Sequence, residues 1–266
     1  MAVMQTRRLR VWQDKIDAQV AVRGSGPPLL YLHGPWGLRA DADLLDRLAR
    51  DHTVYAPQHP GTGADDPDAV HQLDNLFDLV VYYGELLDRL NLASAAIVGH
   101  SFGGMVAAEI ACTMRERVSR LVLIDPVGLW RDDLPVTNWM LLSETARRPA
   151  LFAEPDGEVA RAFYQRPEDL EARADVQAAF IWAQACTGKF VWPIPDKGLK
   201  KHLHRIAAPT LVIWGQQDRI ASPAYAQEFA SRIANARTEL VGPAGHLPHL
   251  EQPDQVADLV RRFLAA

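Results

Sequence analysis

One serine, one aspartate and one histidine stand where they could act together in nucleophilic catalysis. Ser101 lies in the run Gly99-His100-Ser101-Phe102-Gly103, and Asp218 and His246 follow it in that order. A serine hydroxyl is a weak nucleophile at neutral pH and needs a base to take its proton. Histidine suits this task because its pKa lies near that pH, and a buried carboxylate holds the imidazole in the required tautomer. The three residue types therefore point to catalysis by an activated serine.

The Gly-X-Ser-X-Gly run requires a particular local structure to expose its serine. An apolar stretch rich in β-branched residues, 95–98, precedes it, and helix-forming sequence, 105–111, follows it. This pattern predicts a strand, a very tight turn and a helix, with Ser101 at the apex of the turn. The glycines let strand and helix approach closely, and free N–H groups at the helix start favour developing negative charge.

Other candidate residues also follow predicted strands directly. Apolar runs typical of buried strands cover residues 29–32, 95–98 and 210–214, and a last strand is predicted at 237–241. The run 29–32 ends at His33 and Gly34, the run 210–214 precedes Asp218, and the last strand precedes His246. Because the carboxyl ends of parallel strands share one edge of a sheet, we expect these side chains to converge there.

Alternating strand and helix patterns predict an α/β fold. Residues 7–12 and 16–23 alternate apolar and polar side chains, as an antiparallel pair with one wet face would. Further strands are predicted at 53–56 and 118–124, and helices around residues 44–48, 73–90, 105–111, 224–233 and 255–264. Between residues 129 and 205 the alternation stops, and the sequence becomes helical and rich in aromatic residues. We therefore expect one α/β domain, residues 1–128 and 206–266, with residues 129–205 inserted as a helical cap.

The composition and net charge indicate which kinds of molecule the chain is expected to bind. With 48% hydrophobic and 23% charged residues, the 266-residue chain is typical of a globular protein with a sizeable core. A formal net charge of −5 argues against nucleic-acid binding. No apolar run approaches the roughly 20 residues of a membrane helix, and residues 7–10 are not followed by the apolar segment of a signal peptide. A small-molecule substrate and a cytoplasmic location are expected, whereas the oligomeric state cannot be read from the sequence.

No cofactor or metal site is expected. The run Gly24-Ser25-Gly26 lacks the phosphate-binding pattern, and the two cysteines, Cys112 and Cys186, have no metal-ligand spacing. His202 and His204 lie in a basic segment without an evident third ligand, so a solvated helix face is the simpler interpretation. Both cysteines are expected to be reduced thiols.

The motifs together resemble those of the α/β-hydrolase fold superfamily. The resemblance spans nearly the whole chain and rests on these segments: His33-Gly34, Gly99 to Gly103, Trp214 to Asp218, and Gly245-His246. It implies a mostly parallel sheet of eight strands, the second antiparallel, with helices on both faces and a helical cap after strand six. It also implies Ser101 as the nucleophile, Asp218 as the orienting acid and His246 as the general base.

Alternatives exist for the acid and the base. An aspartate after a strand commonly caps a helix, and Asp125 also ends a predicted strand. Asp218 is favoured because it matches the family motif, whereas Asp125 stands where the chain leaves for the insertion. His246 is favoured over His249, which we place at the start of the last helix, and His100 is interpreted as a packing residue.

The oxyanion hole departs from the family pattern. Its first donor is expected to be the N–H of Phe102, directly after the serine. Many members take the second donor from the residue after the His-Gly pair, but here that residue is Pro35, which has no N–H. We predict that Trp36 supplies the second N–H, with Gly37 as the alternative.

The predicted cap favours an apolar substrate. We expect Trp36, Trp139, Trp182 and Trp192 to line the pocket as a group, together with His33 and Gly34, although any single aromatic residue can equally belong to the core of the cap. A serine nucleophile argues against dehalogenases and epoxide hydrolases, which use a carboxylate there. The leading function is hydrolysis of a small to medium, largely apolar carboxylic ester, lactone or thioester through an acyl-enzyme.

Two other functions remain open. Members that cleave carbon–carbon bonds in ring-fission products usually have a tryptophan after the base histidine and an arginine in the pocket. Here Leu247 follows His246, so carbon–carbon bond hydrolysis is less favoured than ester hydrolysis but stays an alternative. Other members keep the three residues but act mainly as small-molecule receptors with little turnover.

Overall fold

Eight strands form one sheet in the computed structural model, which describes residues 5–266. They are β1 (Gln5–Val11), β2 (Ile16–Arg23), β3 (Pro28–Leu32), β4 (Thr53–Pro57), β5 (Ala95–His100), β6 (Val118–Ile124), β7 (Thr210–Gly215) and β8 (Ala236–Val241). Their order across the sheet is β1-β2-β4-β3-β5-β6-β7-β8. β2 pairs antiparallel with both β1 and β4, and all other neighbours are parallel. The predicted fold class is confirmed.

Helices cover both faces of the sheet. They are α1 (Ala42–Leu48), α2 (Leu76–Arg89), α3 (Phe102–Thr113), α4 (Glu144–Leu151), α5 (Glu158–Phe163), α6 (Leu170–Val191), α7 (Ala224–Ala230), α8 (Pro248–Glu251) and α9 (Pro253–Ala265). Alternate residues of β3 show why its sequence is continuously apolar. Leu30 and Leu32 pack in one core cluster with α2 and α3, whereas Leu29 and Tyr31 pack in the other with α1 and α9.

The stretch between β6 and β7 is helical, as expected. It contains α4, α5 and α6, and aromatic residues from it pack in the same core cluster as α2 and α3. The division at residues 129 and 205 into an α/β core and a cap stays a prediction. The basic segment near its end forms two short 3₁₀ turns, Leu199–Lys201 and Leu203–Arg205, with His202 and His204 exposed.

Two helix boundaries differ from the sequence interpretation. The helix predicted from residue 73 begins at Leu76, because Asn75 caps it by accepting a hydrogen bond from the Asp78 N–H. His249 lies in the separate short helix α8 rather than in the last helix. Pro253 begins α9, where its missing N–H costs no helical hydrogen bond. Among residues 5–266, no helix is both long and apolar enough to cross a membrane.

Candidate active site

The turn at Ser101 joins β5 to α3 in a strained conformation. Ser101 has φ 52°, in the left-handed region that non-glycine residues seldom adopt. Its N–H donates to the Ile124 carbonyl at 2.9 Å, which fixes the turn against β6. A Cβ on Gly103 would lie 2.1 Å from the Leu32 carbonyl oxygen, so only glycine allows this approach of α3 to β3. The strand, turn and helix predicted around the serine are confirmed.

Ser101, His246 and Asp218 form one hydrogen-bonded chain, which we call the triad. Ser101 Oγ lies 2.8 Å from His246 Nε2, and His246 Nδ1 lies 2.8 Å from Asp218 Oδ2. Ser101 and His246 have no exposed surface, and Asp218 is only 5% exposed. Because a carboxylate can only accept, Nδ1 carries the proton and Nε2 is free to accept the serine proton. The geometry is that required for general-base activation of a serine.

The loop after β7 orients the Asp218 carboxylate. Its Oδ1 accepts from the N–H groups of Ile220 and Ala221, and its Oδ2 accepts from the Trp214 indole at 3.0 Å in addition to His246. Four donors thus stabilise the negative charge and fix the carboxylate plane. A buried carboxylate is stable only with such partners.

Asp125, the alternative acid, has a different role in the geometry. Its Oδ1 accepts from the Gly215 N–H at 2.9 Å, which ties the end of β6 to the end of β7. Burial, and then the neighbouring Asp218 carboxylate, raise the pKa of Asp125 well above its usual range. Asp125 therefore ties two strand ends together beside the triad, whereas Asp218 contacts the imidazole.

His33 supports the loop after β3 from beneath. Its Nε2 accepts from the His59 N–H at 3.2 Å, so its Nδ1 carries the proton and donates to the Gly34 carbonyl at 2.7 Å. Burial lowers the pKa of His33, which keeps this neutral tautomer. Both nitrogens are engaged with backbone, so His33 positions the loop. A Cβ on Gly34 would lie 3.5 Å from the Ser101 Cβ, which puts Gly34 directly beside the serine.

The two residues predicted to form the oxyanion hole lie at the start of α3, for Phe102, and in the loop after β3, for Trp36. Phe102 is the first residue of α3, where a backbone N–H has no intrahelical acceptor. Trp36 follows Gly34 and Pro35 in the adjacent loop and is 7% exposed. The assignment of their N–H groups to one oxyanion hole stays a prediction.

Aromatic side chains cover Trp36 from above. The Trp36 ring stacks on Phe180 with centroids 6.1 Å apart and meets Trp139 and Phe163 edge-on at 6.2 and 6.4 Å. We call Trp139, Phe163 and Phe180 the aromatic roof. Trp182 and Trp192 do not join it: they are 38% and 52% exposed, and the described ring contact of Trp182 is with His71. Of the four tryptophans expected to line the pocket as a group, only Trp36 and Trp139 contact each other among the described ring contacts.

Several buried hydrogen-bond donors near the roof lack an acceptor among residues 5–266. They are the indole N–H groups of Trp36 and Trp139, the Tyr164 hydroxyl and one amino group of Arg166. The Arg166 guanidinium lies 5.3 Å from the centre of the Phe180 ring and 5.9 Å from that of Tyr164. Burial raises the pKa of Tyr164 to about 12, so its hydroxyl remains a donor. Buried donors without partners suit a ligand that brings acceptors.

Glu251 links the histidine loop to the segment after α4, and sequence reasoning missed it. Its carboxylate accepts from the Gly245 N–H at 2.6 Å and from the Ala153 N–H at 2.9 Å. The His246 N–H donates to the Leu151 carbonyl at 2.8 Å across the same contact. These bonds position the imidazole from the insertion side. Nothing in the local sequence signals the link to the insertion, because Ala153 and Glu251 are 98 residues apart.

A mostly parallel sheet that presents a buried serine–histidine–aspartate chain at the carboxyl ends of its strands is the arrangement of a hydrolase with the α/β fold. The chain belongs to the alpha/beta hydrolase family, whose profile matches residues 29–259.

Curated relatives of the chain include proteins named as a hydrolase and as an esterase. The chain is 30% identical to a 2-hydroxymuconate semialdehyde hydrolase from Pseudomonas sp. strain CF600, over 91% of this chain and 88% of the relative. It is 26% identical to a pimeloyl-[acyl-carrier protein] methyl ester esterase from Nitrosomonas europaea, over 89% of this chain and 95% of the relative. Both comparisons extend over the α/β core and the insertion.

Solved structures show the same fold. A meta-cleavage product hydrolase from Pseudomonas fluorescens IP01 superposes with a TM-score of 0.76 at 20% identity, covering 97% of both chains. The serine hydrolase CCSP0084 from Cycloclasticus zankles superposes with a TM-score of 0.75 at 20% identity, covering 99% of this chain and 98% of that one.

Proposed function

We propose that the chain is a serine hydrolase that cleaves a small to medium, largely apolar carboxylic ester, lactone or thioester through an acyl-enzyme. One observation carries the proposal: the hydrogen-bonded chain from Ser101 through His246 to Asp218, with both links at 2.8 Å. Family membership supports hydrolysis in general, and the triad supports a covalent route with serine as nucleophile.

In the first half of the reaction, His246 Nε2 takes the Ser101 proton while Oγ bonds to the substrate carbonyl carbon. The carbonyl electron pair moves onto oxygen, and Asp218 stabilises the imidazolium. The tetrahedral intermediate then collapses, the bond to the leaving group breaks, and His246 donates its proton to that group. Water repeats the sequence in the second half, releasing the acid and restoring the Ser101 hydroxyl.

The developing oxyanion is stabilised between α3 and the loop after β3. The Phe102 N–H lies at the start of α3, where the helix dipole adds to its effect. The second donor is the Trp36 N–H, since Pro35 has none. Each such donor is worth about 2.7–4 kcal/mol of transition-state stabilisation.

In this proposal the substrate binds beside Ser101 and against the aromatic residues around Trp36. Trp36, Phe163 and Phe180 offer an apolar surface for an acyl chain. The unpartnered donors of Trp139, Tyr164 and Arg166 favour an acyl chain that also carries a hydrogen-bond acceptor. Because Ser101 has no exposed surface, the insertion must move to admit substrate.

Carbon–carbon bond hydrolysis is the second candidate. The 30%-identical relative is named a 2-hydroxymuconate semialdehyde hydrolase, and Arg166 provides a cation beside the roof for a substrate carboxylate. Leu247, fully buried where such enzymes usually have tryptophan, weighs against it.

Two measurements on the same preparation test the proposal. A fluorophosphonate probe should label the chain to one equivalent on Ser101, and Ser101→Ala should not react. A panel of aryl esters, thioesters, lactones and a 2-hydroxy-6-oxo-dienoate should then show steady turnover that is highest with an ester. Turnover of the dienoate alone would favour the second candidate, and full labelling without turnover would favour a receptor. Absence of labelling would refute an activated serine.

A further inference from the structure

A chain of buried polar side chains lies beside the loop after β3, and the triad does not account for it. His59 lies in the loop after β4, and Tyr83 lies on α2. His59 is 2% exposed, whereas Tyr83 and His33 have no exposed surface. A buried polar group is costly unless it is hydrogen-bonded, so the partners of these side chains indicate what they hold in place.

The hydrogen bonds of His59 determine which of its nitrogens carries the proton. Its Nε2 lies 2.8 Å from the His33 carbonyl oxygen, which can only accept, so Nε2 is the donor. Burial, and then the neighbouring His33, lower the pKa of His59 well below its usual range, so the ring is neutral. Nδ1 is then an acceptor, and the Tyr83 hydroxyl, 2.5 Å away, donates to it.

The chain of hydrogen bonds ends on the two peptide groups that adjoin Gly34. The His33 carbonyl accepts from His59, and the Gly34 carbonyl accepts from His33 Nδ1 at 2.7 Å. The His59 N–H also donates to His33 Nε2 at 3.2 Å, so the ring of His33 is held at both nitrogens. In a trans peptide the N–H group points opposite to the carbonyl, so a bonded carbonyl orients the whole peptide. The peptides on both sides of Gly34 are therefore fixed in orientation.

The orientation of these peptides matters because they adjoin the proposed oxyanion hole. Gly34 lies directly beside the nucleophile, since a Cβ on Gly34 would be 3.5 Å from the Ser101 Cβ. A carbonyl oxygen that turned toward the reacting centre would repel a developing negative charge, and the turn would also displace Trp36 two residues later. His59 reaches the other half of the hole as well, because its ring meets the Phe102 ring with centroids 4.9 Å apart. His59 thus contacts both segments from which the donors are proposed to come.

We propose that Tyr83 and His59 are positioning residues for the oxyanion hole. Tyr83 orients the ring of His59, and that ring holds the carbonyl of His33. The loop after β3 then presents its backbone N–H groups to the oxyanion in one fixed orientation. Among the described residues, neither side chain hydrogen-bonds to the triad, so both act through the backbone of the loop. The inference rests on the hydrolytic function proposed above and adds two residues to it.

Adjacent tyrosines of α2 provide a matched pair of variants. Tyr82 and Tyr83 are both fully buried, but the Tyr82 hydroxyl has no hydrogen-bond partner among residues 5–266. Tyr83→Phe should lower kcat for the best ester about 10-fold, because a displaced oxyanion donor weakens binding of the transition state. KM should change less than about threefold, because the ground state does not use these donors. Tyr82→Phe removes an equally buried hydroxyl and should leave both constants unchanged.

Variants of His59 test the bond to the backbone directly. The amide nitrogen of a glutamine reaches about as far as imidazole Nε2, whereas that of an asparagine reaches only about as far as Nδ1. His59→Gln can therefore still donate to the His33 carbonyl, and His59→Asn cannot. We expect His59→Asn to lower kcat about 100-fold and His59→Gln to recover most of this loss. Affinity for an aryl trifluoromethyl ketone, whose Ser101 adduct carries an oxyanion, should fall in parallel with kcat/KM.

The protonation of His59 can be measured in the parent chain. We expect ¹⁵N NMR of the histidine side chains to show a His59 ring that is neutral at about pH 7 and protonated on Nε2. The spectrum of His59→Gln assigns the signal. A ring that is charged or protonated on Nδ1 would overturn the proposal, whatever the kinetics of the variants.

Two kinetic results would also overturn the proposal. One is a Tyr83→Phe chain with the kcat and the ketone affinity of the parent. The other is an equal loss in Tyr82→Phe, which would assign the effect to the packing of α2. Fluorophosphonate labelling separates this inference from the proposed function: an unlabelled parent refutes the activated serine, whereas a labelled, active parent with unaffected variants refutes only the positioning role.

Discussion

The triad and the region of the aromatic roof differ in whether their buried polar atoms have hydrogen-bond partners within the protein. Each side-chain polar atom of Ser101, His246 and Asp218 has a hydrogen-bond partner within the protein. In the roof region, by contrast, Trp139, Tyr164 and Arg166 keep donors that find no acceptor among the described residues. The polar atoms compared are buried in both regions, so the difference does not arise from their exposure to water.

The difference separates two functions of the site. Proton transfer requires groups that are already oriented, and the fully bonded triad provides this order before substrate arrives. Selection of substrate requires groups that are satisfied only by the correct ligand, because a wrong ligand leaves buried donors unpaired. We therefore expect changes in the triad to lower kcat and changes in the roof to alter KM and substrate preference.

The largest effect is expected from removing the nucleophile. Ser101→Ala should lower kcat for the best ester by about 10⁶-fold, leaving the residual acceleration that binding and the oxyanion donors supply. Steady-state hydrolysis and fluorophosphonate labelling measure this loss. Ser119→Ala, at an exposed position of β6, is the matched control and should retain full activity. A Ser101→Ala enzyme within tenfold of the parent would exclude serine as nucleophile.

A pair of aspartate variants distinguishes the two buried carboxyl groups. Asp218→Asn should lower kcat by about 10⁴-fold, because an amide stabilises the wrong imidazole tautomer. Asp125→Asn should leave kcat within about tenfold, since its amide oxygen can still accept from the Gly215 N–H and it is Asp218 that contacts His246. Equal losses in both variants would mean that the two carboxyl groups act as one unit.

Backbone donors of the oxyanion hole can be tested at Trp36. Trp36→Pro removes both the ring and the N–H, whereas Trp36→Ala removes only the ring. Relative to Trp36→Ala, we expect Trp36→Pro to lower kcat by a further 10²- to 10³-fold, the usual effect of losing one oxyanion donor. Circular dichroism checks that both variants fold. If the two variants have the same kcat, the second donor lies elsewhere, and Gly37 becomes the candidate.

The sequence predicted the sheet and the triad because their signals are local. The central strands are short apolar runs, Ser101 follows one of them directly, and Asp218 and His246 lie in the loops after β7 and β8. The Gly-X-Ser-X-Gly motif itself signals the tight turn, because only glycine allows α3 to approach β3 so closely. The carboxyl ends of parallel strands share one edge of the sheet. The predicted order of strands was therefore enough to predict that the three side chains converge there.

The roof could not be predicted in the same way. Helix α6 carries apolar residues on more than one side, among them Phe180, Trp182 and Phe190, so its periodicity did not identify the face that packs on Trp36. The buried Asp41–His249 pair joins residues 208 positions apart and has no motif spacing.

Removing roof donors should alter substrate preference more than turnover. Tyr164→Phe and Arg166→Met should each raise KM about 10-fold for an aryl ester whose acyl chain ends in a carboxylate, because each removes a hydrogen bond to a charged group. For the matched ester that ends in a methyl group, KM and kcat should change little. Arg161→Met, at an exposed position of α5, controls for net charge. Equal effects on the two esters would argue against an acceptor-bearing substrate.

The smallest effect concerns stability at the contact between α3 and the insertion. Glu109 lies on α3, is 8% exposed, and faces Asp196 and His202 of the insertion. Burial, and then Asp196, raise the pKa of Glu109 from 4.5 to about 7. As pH rises between these values, the unfolded chain releases a proton that the folded chain retains, so the free energy of unfolding falls. Glu109→Gln should remove this fall and stabilise the protein at pH 8 by up to about 3 kcal/mol.

Urea unfolding at pH 4 and pH 8 measures this effect, with Glu116→Gln as the control at an exposed position in the turn after α3. At pH 4 the Glu109→Gln and parent chains should have nearly equal stability, because the carboxyl is protonated in both states. The gain at pH 8 should leave kcat unchanged, since Glu109 lies two turns beyond Ser101 and the triad is bonded independently. A gain in stability accompanied by a change in kcat would show that the insertion and the triad are coupled through α3.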